Sequence, residues 1–311
     1  MKRLWVLFFM IWPVLAIWIC WYAPDYHWWF PTTVDPTGAA SSSMGQKIDG
    51  LFYMILYITT IVFIGTQIGL GYVLWQGSKA EEDDVDADGK PRQVWFSHGS
   101  HSLEVIWTIV PAGILLFIAL YQANVWAEFR ISEYFPREKI NSELAQLGIN
   151  PTVKIVGEDG VERTARREAL AEVTARQFEW RLRYPGFDSE GNLLPLMPMP
   201  QPTDLYDVNE LHLPSGMPVV IELRSQDVQH SFFVPELRIK QDAVPGLVIP
   251  VWFDAPQSAS YSLTCAELCG WGHYKMKAKV VMESREDFVA YLRELQQRQF
   301  DDGFAAGQTP E

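Results

Sequence analysis

The sequence contains little cysteine and little positive charge. Its three cysteines, Cys20, Cys265 and Cys269, are too few among 311 residues for a disulfide-rich scaffold. Its 25 basic side chains are outnumbered by 38 acidic ones, which gives a formal net charge of -13. An acidic chain repels the phosphates of nucleic acids and attracts basic proteins over long distances. Nucleic-acid binding is therefore excluded, and basic protein partners are favoured.

Charge is absent altogether from three long stretches. No Asp, Glu, Lys or Arg occurs within residues 4–24, 50–78 or 105–127. Each stretch, folded as a helix, is long enough to cross the hydrocarbon core of a bilayer, which is about 30 Å thick. A fully soluble protein is excluded, and the chain from 129 onward is too polar to contain further spans.

The first apolar stretch has two interpretations. Residues 1–24 begin with Met-Lys-Arg and continue with Trp, Leu and Ile, as a signal peptide or an uncleaved membrane helix would. Ile19 before Cys20 makes a poor lipoprotein cleavage site, and the charge-free run is long for a signal peptide, so we favour an uncleaved helix. Residues 25–48 contain prolines and a run of serines, which predicts an extended connector.

The second and third stretches predict a transmembrane hairpin over residues 49–128, because a short charged loop joins them. A hairpin returns the chain to its starting side, so residues 25–48 and 129–311 face the same way. Basic residues are slightly more frequent on the opposite side, which by the positive-inside rule places the large domain outside the cytoplasm. We therefore predict a multi-pass protein of the bacterial inner membrane whose large domain faces the periplasm.

Short strands dominate the prediction for the large domain. A charged, helix-prone linker over 129–170 precedes alternating strands that define a sandwich or barrel over 171–284. The predicted strands lie at 177–184, 208–213, 219–224, 228–234, 248–253, 258–264 and 278–282. Ser284 and Asp287 then predict a helix N-terminus within a C-terminal segment of helix and polar tail, 285–311.

The most informative segment places two cysteines, a histidine and a methionine within twelve residues. Cys265, Cys269, His273 and Met276 follow at intervals of four, four and three, and His230 lies 35 positions before the first. Soft sulfur and imidazole ligands select copper over magnesium, calcium or manganese. A mononuclear blue-copper site needs a single cysteine, so the second thiolate indicates two bridged copper ions and a role in electron transfer.

Three plainer interpretations compete with a copper site. The close cysteines could form a structural disulfide on the oxidising side of the membrane. Two cysteines and two histidines could instead hold structural zinc. His230 or Met276, taken singly, would more often be packed core residues. Zinc has little use for methionine, and a disulfide needs neither histidine, so the combined pattern favours copper.

Residues 265–276 resemble the dinuclear CuA motif of subunit II of the cytochrome c oxidases, in the haem-copper family. That motif is Cys-x-Glu-x-Cys, a histidine four positions later and a methionine three beyond it, and each position matches. The resemblance covers the hairpin and the strand-rich domain, including a turn at 240–246. It implies that a cupredoxin-like Greek-key β-sandwich follows the hairpin. With the extra N-terminal span favoured above, the predicted fold is membrane-anchored α plus all-β.

The resemblance also implies a role for each ligand. Cys265 and Cys269 are similar to the family's bridging thiolates, and His230 and His273 to its terminal imidazoles. It makes Met276 the weak ligand of one copper.

The residue between the two cysteines has two implied roles. The Glu267 backbone carbonyl would be the weak ligand of the other copper. Its carboxylate would reach an Mg²⁺ or Mn²⁺ ion shared with subunit I, against the alternative of a solvated loop carboxylate.

Glu104 stands at the edge of the third apolar stretch, in a segment, 103–108, that also resembles the family. A carboxylate at this place is costly, and such residues are more often functional or buried in an interface than idle. The resemblance implies a position near the entrance of a proton path into subunit I. A helix cap or a solvated carboxylate at the membrane boundary is the alternative.

Residues 177–184 depart from the family pattern at Phe178. The family usually has two tryptophans flanking one residue, and the first receives electrons from cytochrome c; Phe178 and Trp180 take these places here. We predict that electrons enter at these two rings, against an alternative of ordinary strand packing. The sequence has no Cys-x-x-Cys-His for haem attachment. We therefore expect a separate c-type cytochrome donor, held in a partner complex or tethered to the membrane, with a free soluble cytochrome as the alternative.

Together these features predict the electron-accepting subunit of a membrane terminal oxidase. Dinuclear copper would pass electrons from the cytochrome to haem in subunit I, where oxygen is reduced to water and protons are pumped. Other oxidase subunits are further partners, and this chain supplies no catalytic residue. Alternatives are the CuA subunit of another respiratory reductase, or a membrane-anchored copper carrier. A carrier needs exposed ligands, whereas we expect a packed loop around Leu268 and Trp271.

Overall fold

The structure is a computed structural model that describes residues 2–22, 42–78, 99–156 and 160–301. The chain divides into two compact units, residues 1–29 with 50–125 and residues 30–49 with 126–311. Each unit is coherent in itself. The first is helical, and the second contains the strand-rich domain together with the outer ends of two long helices.

Three apolar helices correspond to the three charge-free stretches: α1 (Lys2–Tyr22), α2 (Ser43–Ser78) and α3 (His101–Arg130). Among the described residues, α2 and α3 are long and apolar enough to cross a membrane, and almost none of their residues is buried. Apolar helix surfaces of this kind suit lipid or other membrane helices. An uncleaved first span over α1 stays a prediction.

Helices α2 and α3 run antiparallel, as predicted for a hairpin. An ion pair joins Lys47 in the first turns of α2 to Glu128 near the end of α3. Farther along, an apolar cleft lies between the two helices and is lined by Ile58, Val62, Ile109 and Phe117 among others. The charged loop predicted between the helices lies outside the described residues.

The start of α2 corrects the connector predicted over 25–48. The helix begins at Ser43, because the Oγ of Ser42 accepts a hydrogen bond from the Gly45 N–H at 2.8 Å and caps the first turn. Residues 43–48 contain Lys47 and precede Asp49, so they lie outside the charge-free stretch and a search for such a stretch misses them. Residues 25–41 lie outside the described part of the chain.

The described residues of the second unit form twelve strands, with bounds as follows: β1 Thr152–Val156, β2 Glu162–Arg166, β3 Ala169–Arg176, β4 Glu179–Tyr184, β5 Leu205–Val208, β6 Glu210–Pro214, β7 Pro218–Ser225, β8 His230–Val234, β9 Ile239–Ala243, β10 Ile249–Asp254, β11 Ala259–Cys265 and β12 Lys277–Glu283. β1 and β2 pair only with each other. The rest form two five-stranded sheets, in the orders β10-β7-β3-β4-β5 and β6-β12-β11-β8-β9.

Strand order in the two sheets confirms the predicted β-sandwich behind a helical anchor. β3 pairs with β7 and β6 with β12 in parallel, although each pair is distant in sequence, while the other neighbours are antiparallel. Large side chains, including Trp180, Phe232 and Tyr261, are completely or almost completely buried. Their burial supplies most of the apolar stabilisation.

The segment predicted as a charged linker, 129–170, contains regular structure. It forms helix α4 (Arg137–Gln146), which buries Ile140 and Leu144, and then the β1–β2 hairpin. Residues 157–159, between the two strands, lie outside the described residues. The prediction missed the strands because the segment's high charge masks their alternation.

A final helix follows the sandwich and begins where predicted. Helix α5 (Arg285–Asp301) is capped by Ser284, whose Oγ accepts a hydrogen bond from the Asp287 N–H at 3.0 Å. Its apolar face buries Phe288, Leu292 and Leu295.

Candidate metal centre

The predicted ligands come together at one end of the sheet that contains β8, β11 and β12. His230 is the first residue of β8, and Cys265 is the last residue of β11. β8 and β11 are antiparallel neighbours with Cys265 opposite Phe232, so the next loop passes His230. The Cys265 N–H donates to the Met276 carbonyl at 3.1 Å and closes this ligand loop, residues 266–276, before β12.

Sulfur and nitrogen atoms face one another across this end of the sheet. The Cys265 and Cys269 sulfurs are 3.9 Å apart. His230 Nδ1 lies 3.9 Å from the Cys265 sulfur, and His273 Nδ1 lies 3.5 Å from the Cys269 sulfur. The Met276 sulfur is 3.9 Å from that of Cys269. Each thiol thus has its own imidazole neighbour, and the thiols face each other.

The backbone carbonyl of Glu267 belongs to the same cluster. Its oxygen accepts a hydrogen bond from the Cys265 thiol at 3.2 Å, so it lies where a sixth donor is expected. The Glu267 side chain is half-buried. Its carboxylate as a ligand of Mg²⁺ or Mn²⁺ stays a prediction.

Most residues that supply donor atoms to the cluster are shielded from solvent. His230, Cys265, Cys269 and Met276 are buried, and all three cysteines are free thiols. A disulfide is therefore not formed. Soft donors held this close, in a buried site, fit a copper centre better than a structural zinc site, because zinc does not require the thioether.

Asp227 contacts a candidate ligand, a relationship that the sequence reasoning missed. Its Oδ1 lies 2.8 Å from His230 Nε2, and its Oδ2 accepts a hydrogen bond from the Gln177 N–H at 2.8 Å. A carboxylate on the outer nitrogen of a ligand histidine fixes the ring and its tautomer. Its place three residues before His230 was the signal available in the sequence.

The pKa values of the two thiols are shifted in opposite directions. Burial raises the pKa of Cys265, but hydrogen bonds with His230 and the backbone of Glu267 outweigh it, and the pKa falls below its usual value. Burial and the neighbouring charge of Cys265 raise the pKa of Cys269. The first thiolate is therefore formed at Cys265, and the second is stabilised when a cation is present.

The turn before β4 covers the ligand loop and corrects the predicted strand. β4 begins at Glu179 instead of 177, and Gln177 and Phe178 form the turn between β3 and β4. The Gln177 side-chain amide donates to the Cys269 carbonyl. A Cβ added at Gly272 would lie 2.5 Å from Cδ2 of Phe178, so glycine leaves the room that this ring occupies.

The aromatic side chains differ from the prediction in their exposure. Trp180 has 0% exposure and packs against His230 and Phe232, with ring centroids 6.4 and 5.8 Å apart, so it cannot touch a donor protein. Trp271 is 79% exposed and Leu268 is 80% exposed. The expectation that these two side chains are packed is therefore wrong, although the metal-binding atoms beneath them are buried.

Glu104 belongs to the other compact unit. It lies in the first turn of α3, its side chain is exposed, and its N–H donates to the Ser100 carbonyl at 2.9 Å. Its role in proton uptake stays a prediction.

Family models match both parts of the chain. The model described as "Cytochrome C oxidase subunit II, periplasmic domain" matches residues 172–284, and "Cytochrome C oxidase subunit II, transmembrane domain" matches residues 35–125. The probable cytochrome c oxidase subunit 2 of Rickettsia bellii is 33% identical over 258 residues, which are 80% of this chain and 79% of that protein.

Other relatives have the same description. The alternative cytochrome c oxidase subunit 2 of Bradyrhizobium diazoefficiens is 40% identical over 137 residues, which are 40% of this chain and only half of that protein. Among solved structures, the periplasmic domain of subunit II of cytochrome oxidase of Bradyrhizobium japonicum is 19% identical with a TM-score of 0.36, covering 43% of this chain and 97% of that one. The matches to both family models and to the Rickettsia protein confirm the predicted family: the chain belongs to the cytochrome c oxidase subunit II family, whose members are components of haem-copper oxidoreductases.

Proposed function

We propose that the β domain holds a dinuclear copper centre of the CuA type, through which electrons enter a haem-copper oxidase. Family membership supports electron uptake by such a complex, and the sulfur-rich donor set supports copper as the metal. The observation that carries the proposal is the convergence of two buried thiols, two imidazole nitrogens and a thioether in one cluster.

Six residues of this chain would hold the metal pair. They supply two bridging thiolates, two terminal imidazoles and two weak donors: Cys265 and Cys269, His230 and His273, and Met276 with the carbonyl oxygen of Glu267. When bound, a copper pair of this type supplies a carrier for single electrons that reorganises little on reduction.

The surrounding residues of this chain prepare the site. Asp227 holds the His230 ring with Nδ1 towards the thiols. Phe178 covers the loop at Gly272, and burial of the sulfurs excludes water. A rigid, dry donor set keeps the structural change on electron transfer small because solvent does not have to reorient.

The finer functional assignments rest on the family. The donor is a c-type cytochrome, held in a partner complex or tethered to the membrane, and the electrons pass to haem in subunit I. There oxygen is reduced to water and protons are pumped, with no catalytic residue from this chain. The chain lies in a bacterial inner membrane with its β domain on the periplasmic side.

Two carboxylates complete the proposal. Glu104, exposed in the first turn of α3, takes part in proton uptake towards subunit I. The half-buried Glu267 carboxylate binds Mg²⁺ or Mn²⁺ at the junction with that subunit.

The electron path begins near Phe178, while the buried Trp180 packs against His230.

A membrane-anchored copper carrier is the rival function. A carrier must exchange its metal with a partner, which requires ligands that the partner can reach. Cys265, Cys269 and His230 are buried, and His230 is held further by Asp227. Burial therefore favours a resident metal over a transferred one.

The test is metal analysis and electron paramagnetic resonance of the purified oxidase. Wild type is expected to hold about two copper ions in this subunit with one unpaired electron shared between them. Cys269→Ser should abolish the shared-electron signal, because it would remove one of the two sulfur donors that the proposed copper pair would share. Cys20→Ser, which alters the thiol in α1, is the matched control and should leave the signal intact. A single blue copper, or zinc, in wild type would overturn the proposal.

A further inference from the structure

The candidate ligands reach the metal centre from separate segments of the chain. His230 begins β8, and the other donors belong to the end of β11 and to the ligand loop that follows it. The base of this loop is fixed to the sheet, because Cys265 pairs with β8 and the Ala266 N–H donates to the Ser231 carbonyl at 3.0 Å. Cys269 lies four residues beyond Cys265. Its place in the centre therefore depends on what holds the middle of the loop.

Gln177, in the turn between β3 and β4, is bonded to both segments. Its backbone N–H donates to Oδ2 of Asp227 at 2.8 Å, and Oδ1 of the same carboxylate lies 2.8 Å from His230 Nε2. Its side-chain amide donates to the Cys269 carbonyl. Gln177 thus joins the carboxylate that orients one candidate ligand to the backbone of another.

The shape of the loop leaves room for this amide. A Cβ added at Gly270 would lie 2.7 Å from Nε2 of Gln177, and the φ of Gly270 is +132°, a conformation that favours glycine. Gly272 leaves room in the same way for the neighbouring Phe178 ring. Glycine at both positions lets the turn lie directly on the backbone beside Cys269.

We propose that Gln177 is a positioning residue that sets the place of Cys269 in the metal centre. This inference rests on the proposed function. Gln177 acts through the Cys269 carbonyl on one side and through Asp227 on the other. Its own side chain is exposed, so it adds little apolar burial to the fold, and its hydrogen bonds are its main contribution.

A displaced Cys269 would affect one side of the centre more than the other. The Cys269 sulfur lies 3.5 Å from His273 Nδ1 and 3.9 Å from the Met276 sulfur. Cys265, whose neighbour is His230, is held by the pairing of β11 with β8. A shift of the loop would therefore move Cys269 relative to donors that stay in place. The unpaired electron of a bound copper pair would then be shared less evenly.

The test variants change the Gln177 side chain and spare its backbone N–H. Gln177→Glu keeps the length of the side chain but replaces the amide donor with an oxygen, and Gln177→Leu removes the polar group. Gln201→Glu is the matched control, because the Gln201 amide also donates to a backbone carbonyl, that of Met199, in the segment between β4 and β5.

Alkylation of the thiols in the metal-free, full-length chain in detergent measures how firmly the loop is held. A Cys20→Ser background leaves Cys265 and Cys269, both buried, as the remaining cysteines. We expect both Gln177 variants to react about three- to tenfold faster than this parent chain, as loss of one hydrogen bond allows. Gln201→Glu should react at the parent rate. Rates in the Gln177 variants equal to the parent rate would overturn the inference, whichever metal the site takes.

Copper retention and electron paramagnetic resonance of the purified oxidase then measure the effect on the centre. Gln177→Glu should lose copper at about tenfold lower concentration of a competing chelator and show a changed copper hyperfine pattern, whereas Gln201→Glu should match wild type. A Gln177→Glu variant with a lower unfolding temperature but wild-type retention and hyperfine pattern would make Gln177 a residue of the fold alone and contradict the inference. Failure of the proposed function is distinguishable, because wild type would then lack the shared-electron signal while the alkylation rates would still differ.

Discussion

The Asp227 carboxylate and the His230 imidazole are joined at 2.8 Å through Nε2, which leaves Nδ1 facing the Cys265 sulfur. Asp227 is exposed, and its partial desolvation raises its pKa, but the hydrogen bond from His230 and those from backbone N–H groups outweigh this and lower the pKa. The carboxylate is thus charged at neutral pH. It orients a ring that is itself fully buried.

Asp227→Asn should weaken metal retention. The amide keeps the size of the side chain but removes the charge that holds the imidazole N–H, and changes of this type cost about 10- to 100-fold in metal affinity. The measurement is copper retained by the oxidase against increasing concentrations of a competing chelator. Asp242→Asn, which removes the charge of a half-buried aspartate on β9 that pairs with Lys240, is the matched control. If both variants retained copper equally, Asp227 would serve only to bind the Gln177 N–H in the turn before β4.

Gly272→Ala should displace the Phe178 ring. The added Cβ would lie 2.5 Å from Cδ2 and 2.6 Å from Cγ of that ring. Overpacking of this kind costs about 1–3 kcal/mol. Thermal unfolding of the full-length chain in detergent measures the loss. In a chain that already carries Phe178→Ala, Gly272→Ala should be nearly neutral. If the two substitutions instead had additive effects on stability in this double-mutant cycle, the contact between Gly272 and the Phe178 ring would be contradicted.

Asp49→Ala should destabilise the second unit strongly. Arg238 Nε and Nη2 donate to the two oxygens of Asp49 at 2.7 and 3.2 Å, and both side chains are nearly buried. Removing one partner of a buried pair costs about 3–5 kcal/mol because the other charge loses its compensation.

The exposed pair Lys47–Glu128 provides the comparison for Asp49→Ala. Glu128→Gln should cost less than about 1 kcal/mol. The double variant Asp49→Ala with Arg238→Met should recover part of the loss, since no buried charge remains. Chemical denaturation of the full-length chain in detergent checks all three, and equal effects of Asp49→Ala and Glu128→Gln would argue against a buried pair.

Glu104→Gln should slow steady-state turnover of the assembled oxidase. The substitution keeps the shape and hydrogen bonding of the side chain but removes the group that accepts and releases a proton. Copper content and the rate of copper reduction should not change. Glu138→Gln, in the first turn of α4, is a control for loss of an exposed carboxylate. Turnover equal to wild type would assign Glu104 to packing.

Features set by residues close together in the sequence were predicted correctly from the sequence. The ligand loop is continuous in sequence, so its spacing alone brought Cys265, Cys269 and Met276 into one prediction. The cap at Ser284 is equally local. By contrast, the turn at Phe178 lies in a stretch that alternates like a strand, and its true end is set by contact with Gly272 in a distant loop.

Exposure was harder to predict than position. Trp180 and Trp271 are the same residue type close to the same loop, yet one is buried between the sheets and the other faces solvent. Which of them a donor can reach depends on the β4 register and on the turn before it. Neither is encoded in spacing along the chain.

The closure of the ligand loop by the hydrogen bond from Cys265 to Met276 has a consequence for the order of assembly. His230 comes from β8 and Cys265 from β11, while the remaining donors lie on a loop that is closed only when β12 pairs with β11 and with β6. β12 is the last strand of the domain, so a nascent chain without it has thiols but no pocket. The pocket for the proposed metal is therefore complete only in the finished sandwich, so we expect metal to bind after β12 has paired and not to the emerging polypeptide.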